Sequence, residues 1–228
     1  MATKLEKAVT RVSNEVIRDT GKFRPLAMQF ELNIADIKAS LLFAATGDIR
    51  YYLNSIYIET GPNGARVVGC DGHTLSVIKV DGKFEPASII VPREVLEKLK
   101  IGKRNFPIVQ FDFAPGDLVS DSLREIRITT AGTTTIVKEI DGKFPDFRRV
   151  IPEKASGEFA VFNPEYLVRV QKACTLLGEE NGYVVAHNGT NAGFARIERA
   201  VFVVMPVRSE TPPVSSPEWI QTPLTNPV

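Results

Sequence analysis

With 228 residues, 43% of them hydrophobic and 24% charged, the chain is long enough to bury a sizeable core as one large domain or two, and its composition is ordinary for a soluble globular protein. No apolar run approaches the roughly 18 residues that span a bilayer, and the N-terminus lacks the apolar centre of a secretory signal, so a cytoplasmic protein with no membrane partner is expected. A net charge of +1 excludes binding to nucleic acid through bulk charge alone, which leaves the distribution of charge to decide. Cys70 and Cys174 stand apart, with neither a Cys-x-x-Cys pair nor clustered His, so neither a disulfide framework nor a zinc site is indicated. Both are expected as buried thiols, and no cofactor is expected.

In chain order, Leu5, Ala8, Val9, Val12, Val16 and Ile17 fall on one helical face with charges opposite, which predicts an amphipathic helix over 4–19 within an N-terminal segment 1–27. The first repeated unit opens on the apolar run Phe30–Leu32. Asn33 can cap a helix Ile34–Ala45, and strand-like runs follow at Tyr51–Glu59, Arg66–Cys70 and Thr74–Val80. The second unit repeats the order: Ile89–Val91, a helix from Pro92 through Lys100, then Ile108–Phe113, Glu125–Thr129 and Thr133–Ile140. Asn63-Gly64, Asp71-Gly72 and Ala131-Gly132 supply tight turns. Asp-Gly-Lys-Phe recurs at 81–84 and 141–144, each time after a strand-like run, the mark of an internal duplication. A third unit has Phe159–Phe162, an Asn163-Pro164 start signal for a helix Glu165–Leu177, and strands Tyr183–His187, Gly193–Glu198 and Ala200–Val207.

Strand, helix and three antiparallel strands, written about three times, give an α+β fold with helices on one face of antiparallel sheets. Two units make one complete domain, 28–150, joined by a linker, 151–157, to a half-sized unit, 158–208. From Ser209 onward five prolines mark an extended or disordered tail, 209–228, that holds the lone Trp219. Basic residues concentrate in 1–26, six against three acids, and in 93–104, five against two, although a solvated helix face produces such clusters without any ligand.

Three segments carry a more specific signal: DIRYYLNSIYIETGPNGARVVGCDGHTLSV (Asp48–Val77), IDGKFPDFRRVIP (Ile140–Pro152) and VFVVMPVR (Val201–Arg208). All three, in this order, resemble the bacterial sliding clamp, the beta subunit of DNA polymerase III. The likeness runs from about Gln29 to Arg208 and leaves the first and last segments without a counterpart; so short a chain is compatible with a phage or mobile-element source. It implies a DNA-clamp-like fold and a partner-peptide pocket formed by Tyr52, Leu53, Cys70, Gly72, His73, Thr74, Leu75, Pro152, Val203, Met205, Pro206 and Val207. Apolar walls, an adaptable Met and a Gly turn suit a peptide, while Leu53, Leu75 or Val203 taken singly reads better as core, and only the matches taken together favour the pocket. Two departures bear on partner preference: Thr74 follows His73 where many clamps carry Arg, and Cys70 stands where the family has Thr.

The resemblance further implies contact with duplex DNA through phosphates, without base readout. The candidates are Lys98, Lys100, Lys103 and Arg104 in the basic segment 93–104 that holds the second helix, Arg169 and Lys172 on the third, and Arg50 and Tyr51, with Tyr52, in a family segment that touches DNA at the ring edge. Ordinary strand packing explains the tyrosines as well. Asp71-Gly72-His73 and His187-Asn188 hold chemically capable groups, but no nucleophile elbow, phosphate loop or paired metal-ligand spacing accompanies them, so no enzyme is expected. Gln221-Thr222-Pro223-Leu224 shares Gln and Leu with clamp-binding peptides but lacks the following aromatic, and chance explains it. The implied function is that of a processivity factor tethering a DNA polymerase or other replication protein to DNA, with a clamp loader as a further partner. The alternative is a peptide-binding module that occupies replication proteins without encircling DNA. Closing a ring takes several copies of so short a chain, so a homo-oligomer is expected unless the helix at 4–19 folds back over the open face.

Overall fold

Each repeated unit begins where an Asn or Pro turns an extended strand into a helix. The computed structural model describes residues 28–100, 107–113, 124–179 and 185–208, and the backbone of 18–19 and 22–23. Positions 4–17 of the expected N-terminal helix, the tail 209–228, Lys103 and Arg104 lie outside these residues. Arg18 and Asp19 do not continue a helix but form β1 (Arg18–Asp19), paired with β2 (Lys22–Phe23).

Strand β3 (Met28–Asn33) runs directly into α1 (Ile34–Leu41), where Asn33 Oδ1 accepts the Ala35 N–H at 2.8 Å. β4 (Ser55–Gly61), β5 (Gly64–Cys70) and β6 (Thr74–Val80) complete the first unit. The second unit is β7 (Ala87–Pro92), α2 (Arg93–Glu97), β8 (Ile108–Phe113), β9 (Glu125–Thr130) and β10 (Thr133–Lys138). In the third, Asn163 Oδ1 caps α3 (Pro164–Leu176) through the Glu165 N–H at 3.0 Å. β11 (Val185–Ala186), β12 (Gly193–Ile197) and β13 (Ala200–Val204) follow. Two expected strands are corrected: Tyr51–Leu53 is a 3-10 turn ahead of β4, and Phe159–Phe162 contributes only one bridge, Val161 to Val207.

Both early helices are shorter than their apolar pattern, ending at Leu41 and Glu97 rather than Ala45 and Lys100. The last carbonyls of a helix have no partner within it, and here each helix finds them in the other. Lys38 Nζ donates to the carbonyls of Leu96 (3.0 Å) and Glu97 (2.8 Å), and Arg93 Nη1 donates to those of Leu41 (2.9 Å) and Ala44 (2.7 Å). A cation at a helix C-terminus also suits the helix dipole. Arg93, one of the five bases of 93–104, is thereby part of the scaffold.

The first two units exchange their opening strands. β3 pairs with β8 and β7 with β4, giving a four-stranded sheet in the order β10-β9-β8-β3 and a second array β7-β4-β5-β6. The third unit extends the second array, because β13 pairs antiparallel with β6, Val201 opposite Val77 and Val203 opposite Leu75, making a seven-stranded sheet that ends in β12 and β11. One apolar cluster fills the helix side. It joins Phe30, Phe111 and Phe113 of the first two units to Val170, Ala173 and Cys174 of α3. Phe43 stacks on Phe202 at 5.2 Å, tying the 41–45 turn to β13. α1 lies so close to β5 that a Cβ on Gly69 would sit 2.2 Å from the Ser40 carbonyl oxygen, and beside it the Ser40 and Ser76 hydroxyls pair at 3.0 Å. A second cluster covers the opposite face. Phe144, which ends the second Asp-Gly-Lys-Phe, and Phe147, three residues on, pack there over Val68, Leu75 and Val203, with Phe144 stacked on Tyr57 at 5.0 Å.

Candidate peptide-binding and DNA-contact sites

The β6–β13 ladder brings the expected pocket segments together on the outer sheet face. Residues 75, 77 and 79 of β6 and 201, 203 and 205 of the last strand point the same way, because side chains alternate along a strand. Met205 N–H donates to the His73 carbonyl at 2.9 Å, which fixes the last strand against the Asp71–Thr74 turn. Leu53 and Leu75 are 2% exposed and Val203 3%, so these three form a closed apolar floor. Gly72, His73, Met205 and Val207 are exposed above it, with Met205 at 40%. Tyr52 and Cys70 are half-buried and pack against it, as does Ile151; Pro206 and Pro152 are half-buried as well. Cys70 is therefore not the buried thiol expected, although burial still pushes its pKa up; Cys174 is buried, its pKa pushed by burial up to about 11.

Thr74, the departure from the family pattern, is buried and bonded within the turn. Its hydroxyl donates to Asp71 Oδ1 at 3.0 Å and accepts from Arg169 Nη1 at 3.3 Å. Arg169 itself reaches Asp71 Oδ2 at 2.6 Å and lies over the Tyr166 ring at 5.2 Å, while Tyr166 stacks beside His73 at 6.2 Å. Arg169, expected at DNA, thus ties α3 of the third unit to the Asp71-Gly72-His73 turn of the first. Sequence reasoning missed Tyr166 as a pocket neighbour; its place on the α3 face toward that turn depends on packing.

Burial works to raise the Asp71 pKa, but the N–H groups of His73 and Thr74, the Arg169 guanidinium and the Thr74 hydroxyl outweigh it and hold the carboxyl below its usual range. A depressed carboxylate contributes stability that is full above its unfolded pKa, about 3.9, and is lost as pH falls through the folded value. Acid unfolding followed by circular dichroism should therefore show Asp71→Asn less stable than wild type at pH 7, with the gap narrowing below roughly pH 3.9. A gap independent of pH would show that the charge of Asp71 contributes nothing.

Among the other DNA candidates, Lys98, Lys100 and Lys172 are exposed. Arg50 forks onto Asp48, Nε to Oδ1 at 3.0 Å and Nη2 to Oδ2 at 2.7 Å, and this pairing lowers the Asp48 pKa to about 2. Tyr51 is 56% exposed and meets Tyr52 edge-on. No described group of three His, Cys, Asp or Glu side chains is placed to hold a metal ion, and no described helix is long and apolar enough to cross a membrane. A groove of about 930 Å³ lies further along the same sheet face, between the 148–153 segment and the hairpin ends at 60–66 and 196–201. It includes Pro152 but neither His73 nor Met205.

Antiparallel sheets closed over a short set of helices in this order are the architecture of solved sliding clamps. A putative DNA polymerase III beta subunit from Eubacterium rectale superposes with a TM-score of 0.66 at 13% identity, covering 84% of this chain and 68% of that one. The sliding clamp of Pseudomonas aeruginosa, solved bound to griselimycin, gives 0.62 at 19% identity over 85% and 68% of the two chains. Residues 29–146 match the DNA polymerase III beta subunit, central domain, and the chain belongs to that family. The beta sliding clamp of Haemophilus influenzae is 34% identical over 123 residues, 53% of this chain and 31% of the relative. The chain thus spans about a third of the length of that relative.

Proposed function

We propose that the protein is a sliding-clamp-like processivity factor, which tethers a DNA polymerase or another DNA enzyme to duplex DNA through its peptide pocket and performs no catalysis. The observation that carries this reading is the meeting of Leu53, the Asp71–Leu75 segment, Ile151 and the segment Val203–Val207 on one face, an apolar floor with an exposed Met and a Gly turn at its rim. Tethering works by effective concentration: a weak peptide contact, combined with linkage to the template, keeps the enzyme near the primer end. Residues 28–150 serve as the complete domain, 151–157 as linker and 158–208 as the half-sized unit. DNA contact falls to Lys98, Lys100 and Lys172, together with Lys103 and Arg104, through phosphates and without sequence preference. A loader opens and closes the assembly, which works in the cytoplasm.

Assembly from several copies is supported by the sheet edges. β10 holds the position in its four-stranded array that β6 holds in the other; β6 carries β13, whereas no described strand continues beyond β10. Residues 133–136 are exposed and Ile136 is 58% exposed, with no Pro to block pairing, so the edge is suited to a strand from another copy.

Retention on circular DNA tests the function. The assembly, loaded on a nicked duplex circle, should stay bound through gel filtration at high salt and be released when the circle is cut. A second reading, a peptide module that never encircles DNA, is favoured by the engagement of Arg50 with Asp48 and of Arg169 with Asp71, which removes two candidate phosphate contacts. Equal loss from circular and linear DNA would establish that second reading in place of the first.

A further inference from the structure

We propose that β10 pairs with β10 of a second copy across a two-fold axis at Ile136, so that two complete domains join edge to edge. This names the partner in the assembly given above and rests on that reading for what the pair does on DNA; the pairing itself stands on the sheet edges. β6, β10 and β13 are the last strands of the three units. Two of them, β6 and β13, are joined to each other, antiparallel over five residue pairs. The chain thus shows how its units meet across a domain boundary, last strand to last strand. Among the described strands β10 is the last strand without such a mate, because its one neighbour is β9.

β6 and β10 differ as a covered and an open strand should. Thr74, Leu75, Ser76 and Ile78 of β6 are buried, whereas residues 133–136 of β10 are exposed. β10 also lacks the devices by which natural edges resist pairing. Thr133, Thr134, Thr135, Ile136 and Val137 are β-branched, which suits a strand, with no Pro and with one charge, Lys138. The edge at β7 shows the protected alternative. There Ile140 N–H donates to the Ile90 carbonyl at 3.1 Å, Ile90 N–H donates to Glu139 Oε1 at 3.0 Å, and Arg124 Nη2 donates to the Ser88 carbonyl at 2.7 Å.

The register follows from the alternation of antiparallel bonds. Glu139, opposite Arg124, donates its N–H to the Arg124 carbonyl, so 133, 135 and 137 also bond to β9 and the backbone groups of 134, 136 and 138 point away from it. A second β10 satisfies all three in one register: Ile136 opposite Ile136, and Thr134 opposite Lys138 in both directions. A slip of two residues leaves 134 or 138 unbonded. The favoured register has five residue pairs, as many as β6 and β13 form. Like charges do not meet in it, since Lys138 faces Thr134. Ile136, 58% exposed in the single chain, gains its own copy as an apolar neighbour.

The full chain tests the pairing directly. Light scattering at high micromolar protein should give twice the mass of one chain, falling to one on dilution. Ile136→Lys and Ile136→Glu should each raise the dimer dissociation constant at least about tenfold, and an equal mixture of the two should regain the dimer, because opposite charges then meet at the axis. The side chain is exposed, so both variants should keep the wild-type melting curve. Ile136→Cys should cross-link to itself under copper phenanthroline, since Cα atoms of a bonded antiparallel pair lie about 5.5 Å apart, within reach of a disulfide. Thr134→Cys alone and Lys138→Cys alone should not, while a mixture of these two should. Wild type, with Cys174 buried and Cys70 half-buried, sets the background.

A single-chain mass at every concentration, a dimer indifferent to both charges at 136, or a dimer in which Ile136→Cys fails to cross-link would each overturn the pairing. An edge covered by its own chain gives the first result, and a different strand of the second copy gives the third. If the pair forms as described but circular DNA does not retain the protein, the pairing holds and the clamp reading fails. If circular DNA retains Ile136→Lys as well as wild type, the pairing fails and the clamp reading stands.

Discussion

Met205→Asp is expected to leave the protein folded and to weaken binding of a clamp-motif peptide by at least about 100-fold, since burying an unpaired carboxylate costs on the order of 3 kcal/mol or more. The side chain is 40% exposed in the free protein, so the new carboxylate stays hydrated until a ligand arrives. An apolar peptide side chain seated over Leu53, Leu75 and Val203 would strip that hydration, and Arg169, the nearby cation on α3, is already committed to Asp71. Fluorescence anisotropy with a labelled peptide measures the effect, and Met205→Leu, which keeps the apolar surface, should bind within a few-fold of wild type. Equal affinity of wild type and Met205→Asp would sink the pocket.

Phe202→Ala should have the largest effect on stability, about 3–5 kcal/mol, as expected for deleting a fully buried aromatic ring and leaving a cavity. Phe202 is 0% exposed, stacks on Phe43 and stands opposite Ser76 across the β6–β13 ladder. Against the 5–15 kcal/mol typical of a domain, roughly, the loss is a large fraction. Because one apolar cluster runs through all three units, urea unfolding should proceed in a single transition whose midpoint falls in the variant. The same substitution should weaken peptide binding, since β13 carries Val203 and leads into Met205. An unchanged midpoint, or a variant that unfolds in two separate steps, would contradict a core shared between the third unit and the first.

Local chemistry made much of this architecture legible before any contact was known. Asn33 and Asn163 mark helix starts because a side-chain oxygen can accept an N–H two residues on, a bond confined to neighbours in sequence. Gly64, Gly72 and Gly132 adopt positive φ at the expected turns, and the bounds of β6 and β8 fall where alternation and turn residues placed them. The helices expected at 34–45 and 92–100 are longer than those observed for a complementary reason: apolar periodicity continues into turns that pack on the same core, while the caps that end both helices come from the other helix, as far as 59 residues away.

Resemblance to a family could gather Tyr52, Gly72, Pro152 and Met205 into one pocket on paper, but it could not assign the pairing that brings them together. Several apolar strands here could pair with several others, and a pattern of period two records which face is buried without naming the neighbour. The exchange of β3 and β7 between units, the joining of β13 to β6, and the diversion of Arg169 to an aspartate 98 positions away are therefore settled by tertiary packing. Short-range hydrogen bonds and turn geometry belong to the sequence by itself; strand partners and the commitment of each charge depend on which surfaces meet once the whole core closes.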